Sequence, residues 1–251
     1  MTSGSVTFCG YCMSKPDTDA AKLIEVARAA DLLYADYVTG SEGDPYHGIF
    51  RNFIDRCQNI SDLSILEAGS RIIGGIDRRM HFGKYAEYTG VDIHDGPGVD
   101  VRCDIHDMSQ FVPSCRYDAV FSLSVFEHLA FPWKAVMEIN KVLKVGGLCF
   151  VATHPVWPPH ELPWDFWRFP VAGISMLFSK PLGFRLVAAS EGLPARVHSL
   201  VSDPPTRSMP EYEVNLGVAV LAEKIGEFDS DKFRWDVPLG DFTGSTYPRS
   251  R

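Results

Sequence analysis

The sequence contains no run of Lys or Arg, and its 24 basic residues are outnumbered by 32 acidic ones, for a formal net charge of -8. That balance supplies no electrostatic footprint for nucleic acid or an anionic membrane surface. No apolar stretch approaches the roughly 18 residues that a membrane span requires. Met1 to Ser5 lack the positive n-region and apolar h-region of a secretory signal. A cytoplasmic chain with neither a membrane nor a nucleic-acid partner is therefore expected. Cysteine is also scarce. Six in 251 residues are too sparse for a disulfide scaffold. Cys57, Cys103, Cys115 and Cys149 stand singly, and Cys103 and Cys149 lie in apolar runs that read as small core positions. Cys9-Gly10-Tyr11-Cys12 has the spacing of half a zinc site, but no second pair follows it. A functionally silent N-terminus is the preferred reading there, and no metal is expected. Internal repeats and low-complexity tracts are absent.

What is present is ordinary globular usage, with 45% hydrophobic and 22% charged residues. The length suits a single domain with an added subdomain. The first sixty residues read as a helical cover. Ala20 to Ala30 is rich in helix formers, Ser41 to Pro45 breaks the chain, and Tyr46 to Cys57 carries an apolar face of Ile49, Phe50, Phe53, Ile54 and Cys57. Short apolar runs then alternate with other segments. Strands are expected at Leu63–Glu67, Tyr88–Asp92, Val99–Arg102, Tyr117–Ser122 and Leu148–Thr153, with a helix over Trp133–Leu143 and a turn at Lys144–Gly147. This alternation implies a doubly wound parallel sheet. Two late strands, Phe184–Ala189 and Val214–Glu223, are separated by a short Pro-rich connection that favours antiparallel pairing. The expected organisation is a cover over 1–60, an α/β domain over 61–225 and a polar tail over 226–251.

In such a sheet, ligands bind beyond the carboxyl ends of the strands. Gly69 lets the backbone turn tightly after the first strand. Asp92 ends the second, where a carboxylate can accept from ribose hydroxyls. Asp104-Ile105-His106 follows the third strand and Ser122-Leu123-Ser124 ends the fourth. Each signal is weak alone; their order within one βαβαβ unit points to a nucleoside cofactor. A dinucleotide needs GxGxxG over a helix N-terminus, and Arg71 occupies the position of the second glycine. S-adenosylmethionine has no phosphate and carries a cationic sulfonium, so Glu67 and an acidic chain suit it better.

These residues resemble known motifs. Ile65-Leu66-Glu67-Ala68-Gly69-Ser70 resembles the first motif of class I S-adenosylmethionine-dependent methyltransferases. Gly90-Val91-Asp92-Ile93, Gly96-Pro97-Gly98-Val99-Asp100 and Cys103-Asp104-Ile105-His106 look like one bacterial branch of them. Tyr117 to Ser122 with Phe126-Glu127-His128-Leu129 is similar to the fourth-strand motif of the type 11 group, and Val142 to Gly147 matches the turn before the fifth strand. Trp164 to Phe169 resembles a further motif of that branch. The resemblance spans about residues 60 to 190 and implies the seven-stranded Rossmann-like methyltransferase fold. It also implies roles. Glu67, Gly69 and Ser70 would line the methionine end of the cofactor. Asp92 would bind the ribose, Ile93 and Ile105 would flank the adenine, and Asp104 would accept from its amino group. Ser122 and Leu123 would wall the sulfonium. Arg71 departs from the family pattern; it would reach the methionine carboxylate or brace the loop.

Methyl transfer to a hydroxyl benefits from a general base. His154, directly after the fifth strand, is the first choice; His128 has either that role or one in stabilising its loop. Trp157, His160, Trp164 and Arg168, in the aromatic stretch 154–170, are candidates to bind the acceptor. The same aromatics could form a small core of their own, and the Asp165–Arg168 pair reads more readily as a brace. Tyr34, Tyr37, Tyr46 and His47 are candidates to close over the cleft and receive no catalytic role. The expected function is methyl transfer from S-adenosylmethionine to a small-molecule acceptor, for example a sugar or glycan hydroxyl. The alternatives are an NAD(P)-dependent oxidoreductase and a non-catalytic methyltransferase-like partner subunit.

Overall fold

The computed structural model describes residues 40–199, 203–206, 209 and 212–231, with Lys22, Glu25, Val26, Arg28 and Ala29. Contacts divide the chain into two units, residues 1–41 and 42–251. In the first, Lys22, Glu25, Val26, Arg28 and Ala29 are helical; Cys9, Cys12, Tyr34 and Tyr37 lie outside the described residues.

The second unit is built on one seven-stranded sheet: β1 (Ser64–Ala68), β2 (Glu87–Asp92), β3 (Val101–Arg102), β4 (Tyr117–Leu123), β5 (Leu143–Thr153), β6 (Phe184–Ala195) and β7 (Val214–Lys224). Their order is β3-β2-β1-β4-β5-β7-β6. The first five are parallel, and β7 runs antiparallel to both β5 and β6. The order reverses between β1 and β4, so the loops leaving those strands diverge and open a crevice at their carboxyl ends.

Three α-helices flank the sheet: α1 (Pro45–Gln58), α2 (Pro132–Val142) and α3 (Val171–Leu177). Asp44 caps α1, accepting from Tyr46 N at 2.9 Å, and Pro45 occupies the first turn where its missing N–H costs nothing. α1, expected as part of a cover, packs its apolar stripe on one face of the sheet. Phe53 is fully buried there, its ring 5.4 Å from Phe150, 6.0 Å from Phe82 and 6.1 Å from Phe121. The other face carries Ala135, Val136, Ile139 and Val142 of α2, Ile174 of α3, and Met108 from the 3-10 turn Ile105–Gln110. Lys224 of β7 is also fully buried. It donates to Asn140 O at 2.7 Å and Leu143 O at 3.0 Å, capping the negative end of α2. Beyond β7, Phe228 packs on this second face, so the start of the expected tail docks.

Two local features differ from expectation. β5 begins at Leu143, because Lys144–Gly147 is a bulge inside the strand with Gly146 at φ +84°, and pairing jumps from Tyr117↔Leu143 to Ala119↔Leu148. Between β1 and β2 there is no α-helix, only a 3-10 turn at Arg78–His81.

Phe53→Ala should remove about 3–5 kcal/mol of stability, measured by urea unfolding. Phe111→Ala, at a side chain 55% exposed, should stay within about 0.5 kcal/mol of the parent.

Candidate active site

The crevice at the β1/β4 switch holds a cavity of about 310 Å³. Four strand ends feed it: Gly69 and Arg71 after β1, Asp92 and Ile93 at β2, Asp104 and Ile105 after β3, Leu123 and Ser124 at β4. Three glycines permit the tight packing of its floor. Gly69 sits at φ +85°, and a Cβ there would meet Val125 Cγ2 at 2.2 Å. A Cβ on Gly90 would meet Gly98 O at 2.1 Å, and one on Gly98 would meet Ser70 O at 2.6 Å. Such contacts are far inside van der Waals distance, so the loops after β1 and β2 interlock only as glycine. Backbone bonds hold them: Gly69 N and Ser70 N both donate to Val91 O, at 2.8 and 3.0 Å, and Ile72 N donates to Pro97 O at 2.8 Å.

Asp92 is nearly buried. It accepts from Arg71 N at 3.2 Å and His94 N at 2.9 Å, with Arg71 Nε 3.9 Å from Oδ1. Asp104 accepts from His106 N at 2.9 Å and lies 2.6 Å from His106 Nδ1. Phe131 N donates to His106 Nε2, so Nδ1 of a neutral His106 carries the proton toward Asp104. Burial alone would raise Asp104, but the His106 hydrogen bond and charge interactions outweigh it and hold the carboxyl below its ordinary range.

Glu67 faces away from the cavity. Its carboxyl takes Arg78 Nη1 at 3.0 Å and the Tyr88 hydroxyl at 2.6 Å, and burial raises its pKa despite both partners. Arg78 itself lines the cavity. Ser70 is buried under the loop after β1, and Ser122 Oγ donates to Ala68 O at 2.8 Å, pinning β4 to β1 beneath the floor. Neither lines the cavity.

At the other end, His128, His160 and Trp164 line the cavity, with Leu129 and Glu161. His154 does not line it. It stands behind, with Nδ1 3.0 Å from Leu216 O, Nε2 3.3 Å from Ser124 Oγ, and its ring stacked on Trp157 at 4.5 Å. Arg168 spends its guanidinium within its own loop. It holds Asp165 through two bonds of 2.5 and 2.7 Å and donates to the carbonyls of Trp157, Pro158 and Trp167. Glu127, fully buried, ties this loop to the sheet. Its backbone oxygen accepts from Phe166 N and Trp167 N, and its carboxyl accepts Thr153 Oγ1 at 2.6 Å.

Residues 66–151, the span that builds most of this crevice, match the type 11 family model described as "Methyltransferase domain". These residues are a class I S-adenosylmethionine-dependent methyltransferase domain. A curated relative, the "Ubiquinone biosynthesis O-methyltransferase" of Chromobacterium violaceum, is 26% identical over 147 residues. That match covers 52% of this chain and 62% of the relative, so less than two thirds of the relative's length is represented. Among solved structures, a protein of Bacillus halodurans C-125 superposes with a TM-score of 0.52 at 11% identity, over 69% of this chain and 97% of that one. The YcgJ protein of Bacillus subtilis gives 0.50 at 15% identity, over 72% and 99%. At these identities the likeness is one of fold.

The methyltransferase domain thus supplies the strand-end residues, while the loop after β5 supplies His160, Glu161 and Trp164. Ile73, Arg78, Val125 and Glu161 also line the cavity and carry no signal in the sequence, while His106, Ser124 and Leu129 line it from strand-end segments and a motif that gave them no role. Several of these sit in 3-10 turns and irregular loops, where no apolar periodicity marks which side chain turns inward. The Phe126-Glu127-His128-Leu129 motif was the one available signal for Leu129.

Burial alone would raise Asp165, but hydrogen bonds from Arg168 and from His160 N outweigh it and hold its carboxyl below the ordinary range. A lowered folded value contributes stability above the unfolded pKa and loses it as pH falls through the folded one. Asp165→Asn should therefore speed proteolytic nicking of the 157–168 loop at neutral pH, and its stability deficit against the parent should close as pH falls below the ordinary carboxylate range.

Proposed function

We propose that the chain transfers a methyl group from S-adenosylmethionine to a hydroxyl of a small-molecule acceptor. The observation that carries this reading is the convergence of Gly69, Asp92 and Asp104 on one cavity at the β1/β4 switch of a methyltransferase domain. The donor set fits the cofactor. Carboxyls at the ends of β2 and β3 suit ribose hydroxyls and an adenine amino group, and Ile93, Ile105 and Leu123 offer apolar walls. Gly69 lets the turn after β1 pack directly against Val125, whose Cγ2 a Cβ would meet at 2.2 Å. Arg71 and Arg78 suit the methionine carboxylate, and Glu67 enters by orienting Arg78 rather than by direct contact. A dinucleotide is disfavoured, because no helix N-terminus follows β1 to receive a pyrophosphate.

When bound, S-adenosylmethionine supplies an electrophilic methyl carbon on positively charged sulfur. The chain's part is to hold the acceptor oxygen in line at about 3–3.5 Å and to take its proton. His128 is the candidate base. Its Nδ1 lies 2.5 Å from Trp164 O, a carbonyl that can only accept, so in the neutral ring Nε2 holds the lone pair. Because His154 is set behind the cavity wall, His128 becomes the stronger of the two candidates. An oxygen nucleophile is supported by the curated relative's name, which specifies O-methylation. Nothing in the lining favours a sugar over another small hydroxyl compound. The excess of acidic residues supports a small-molecule partner over a nucleic acid.

Calorimetry should give tight S-adenosylhomocysteine binding and none of NAD(P); the reverse would replace this reading, and binding of neither would favour a non-catalytic partner. Asp92→Ala should weaken S-adenosylhomocysteine by about 1–3 kcal/mol, the scale of a lost charged hydrogen bond. His128→Ala should leave that affinity intact and lower turnover by about 10²–10⁴-fold, measured as S-adenosylhomocysteine release across a panel of phenolic and sugar acceptors. An equal loss in both measurements would assign His128 to the loop rather than the reaction.

A further inference from the structure

The cavity's far corner brings together more metal-ligand atoms than a proton transfer needs. Glu127, His128 and His160 each place one donor atom within 4.8 Å of the others. Glu127 is fully buried, and its Oε1 receives no hydrogen bond, although Oε2 is satisfied by Thr153. A buried carboxyl oxygen left without a donor is costly. Two imidazole nitrogens lie near Oε1: His154 Nε2 at 3.5 Å and His128 Nε2 at 3.9 Å. Both are too long for hydrogen bonds. They are close to the roughly 3.4 Å that separates two donors sharing a tetrahedral zinc ion at about 2.0–2.2 Å each.

The three rings are also held in the tautomer a metal requires. His128 Nδ1 faces Trp164 O at 2.5 Å, His154 Nδ1 faces Leu216 O at 3.0 Å, and His160 Nδ1 faces Pro158 O at 3.1 Å. Carbonyls only accept, so each Nδ1 carries the proton and each neutral ring presents Nε2 as its Lewis base. Metal-binding histidines are oriented in this way, with the far ring nitrogen donating to a carbonyl. The rings of His128 and His160 are 4.6 Å apart, and those of His154 and His160 are 6.4 Å apart. Asp165, braced by Arg168, accepts from His160 N at 2.9 Å and so fixes the segment bearing that ring.

We propose that Glu127, His128 and His160 bind a divalent first-row transition cation such as Zn²⁺. Imidazole and carboxylate together suit such an ion better than Mg²⁺ or Ca²⁺, which prefer all-oxygen sets. The ion would bridge the turn after β4 and the loop after β5, with the cavity on its open side. An ion held by His128 Nε2 would take the lone pair assigned above to the base, so the two roles of His128 exclude each other, while cofactor binding at the strand ends is common to both. Sequence gave no expectation of a metal here, because the donors come from separated segments with no recognisable ligand spacing.

The test uses untagged full-length chain carrying Cys9→Ser and Cys12→Ser, which removes the other candidate ligands. The chain is stripped with chelator and titrated with Co²⁺ alone, then Zn²⁺ in competition. One equivalent of Co²⁺ should produce visible d–d absorption without a thiolate band, and Zn²⁺ should abolish it. His160→Ala and Glu127→Gln should each weaken Co²⁺ by more than about tenfold, since loss of even an outer-shell partner costs about 10–100-fold. His160→Gln, which keeps most of the volume, serves if near-ultraviolet circular dichroism shows His160→Ala misfolded. No Co²⁺ uptake by the parent, or equal affinity in parent and variants, overturns the proposal. Loss of Co²⁺ binding with S-adenosylhomocysteine binding unchanged supports the metal site whatever the acceptor is.

Discussion

One buried carboxyl residue joins the parts of this structure that matter for chemistry. Glu127 sits just past the end of β4 with no exposure to solvent. Its backbone oxygen holds Phe166 and Trp167 of the loop after β5, and its carboxyl holds Thr153 at the end of β5. The neighbouring His128 reaches across to Trp164 O. Two parallel strand ends and a seventeen-residue irregular loop are thereby fixed to one another by polar contacts (residues 154–170). Buried polar networks of this kind are expensive when incomplete and specify one geometry when satisfied. The acceptor end of the cavity inherits its shape from that network.

The opposite end is fixed by sterics instead. Gly90 and Gly98 let the loops after β1 and β2 cross too closely for a side chain, and Gly69 does the same against Val125 after β4. Asp92 can then accept two backbone N–H groups while its carboxyl still borders the cavity. Arg71, in place of a second glycine, fits because its chain lies along the Gly96 turn; a Cβ on Gly96 would touch Arg71 Cγ at 3.0 Å. One end of the crevice is thus rigid through backbone packing and the other through side-chain hydrogen bonds.

Much of this was legible in the sequence. All seven strands and the helices at 45–58 and 132–142 overlap the expected apolar runs, although β3 keeps only Val101–Arg102 and β5 starts earlier, at Leu143. Strand ends also announced Gly69, Asp92 and Asp104. Parity within those strands was harder to read. Glu67 follows Ile65 by two residues and so shares its face, toward α1 and Phe82 rather than the cavity. Ser122 pairs beside Ala68 and is consumed by a strand-to-strand bond. His154 continues β5, but Leu216 O and Trp157 hold its ring behind the wall. None of these orientations follows from local composition, since each is decided by a partner distant in the chain. The bulge at Gly146 was read as a simple turn for a similar reason: the residues that extend pairing to Leu143 lie on β4.

The Asp165–Arg168 pair has a consequence for how such a protein can diversify. Arg168 answers three carbonyls and a carboxyl from residues 157 to 167, all in its own loop. The loop therefore closes most of its own polar groups and asks little of the sheet beyond the Glu127 anchor. Residues at its tip, such as Trp157, Leu162 and Phe166, are each at least 40% exposed and carry none of that closure through their side chains. Leu162 and Phe166 can vary without breaking that polar closure, so the outer surface of the loop can change while His160, Glu161 and Trp164 keep their places in the cavity wall.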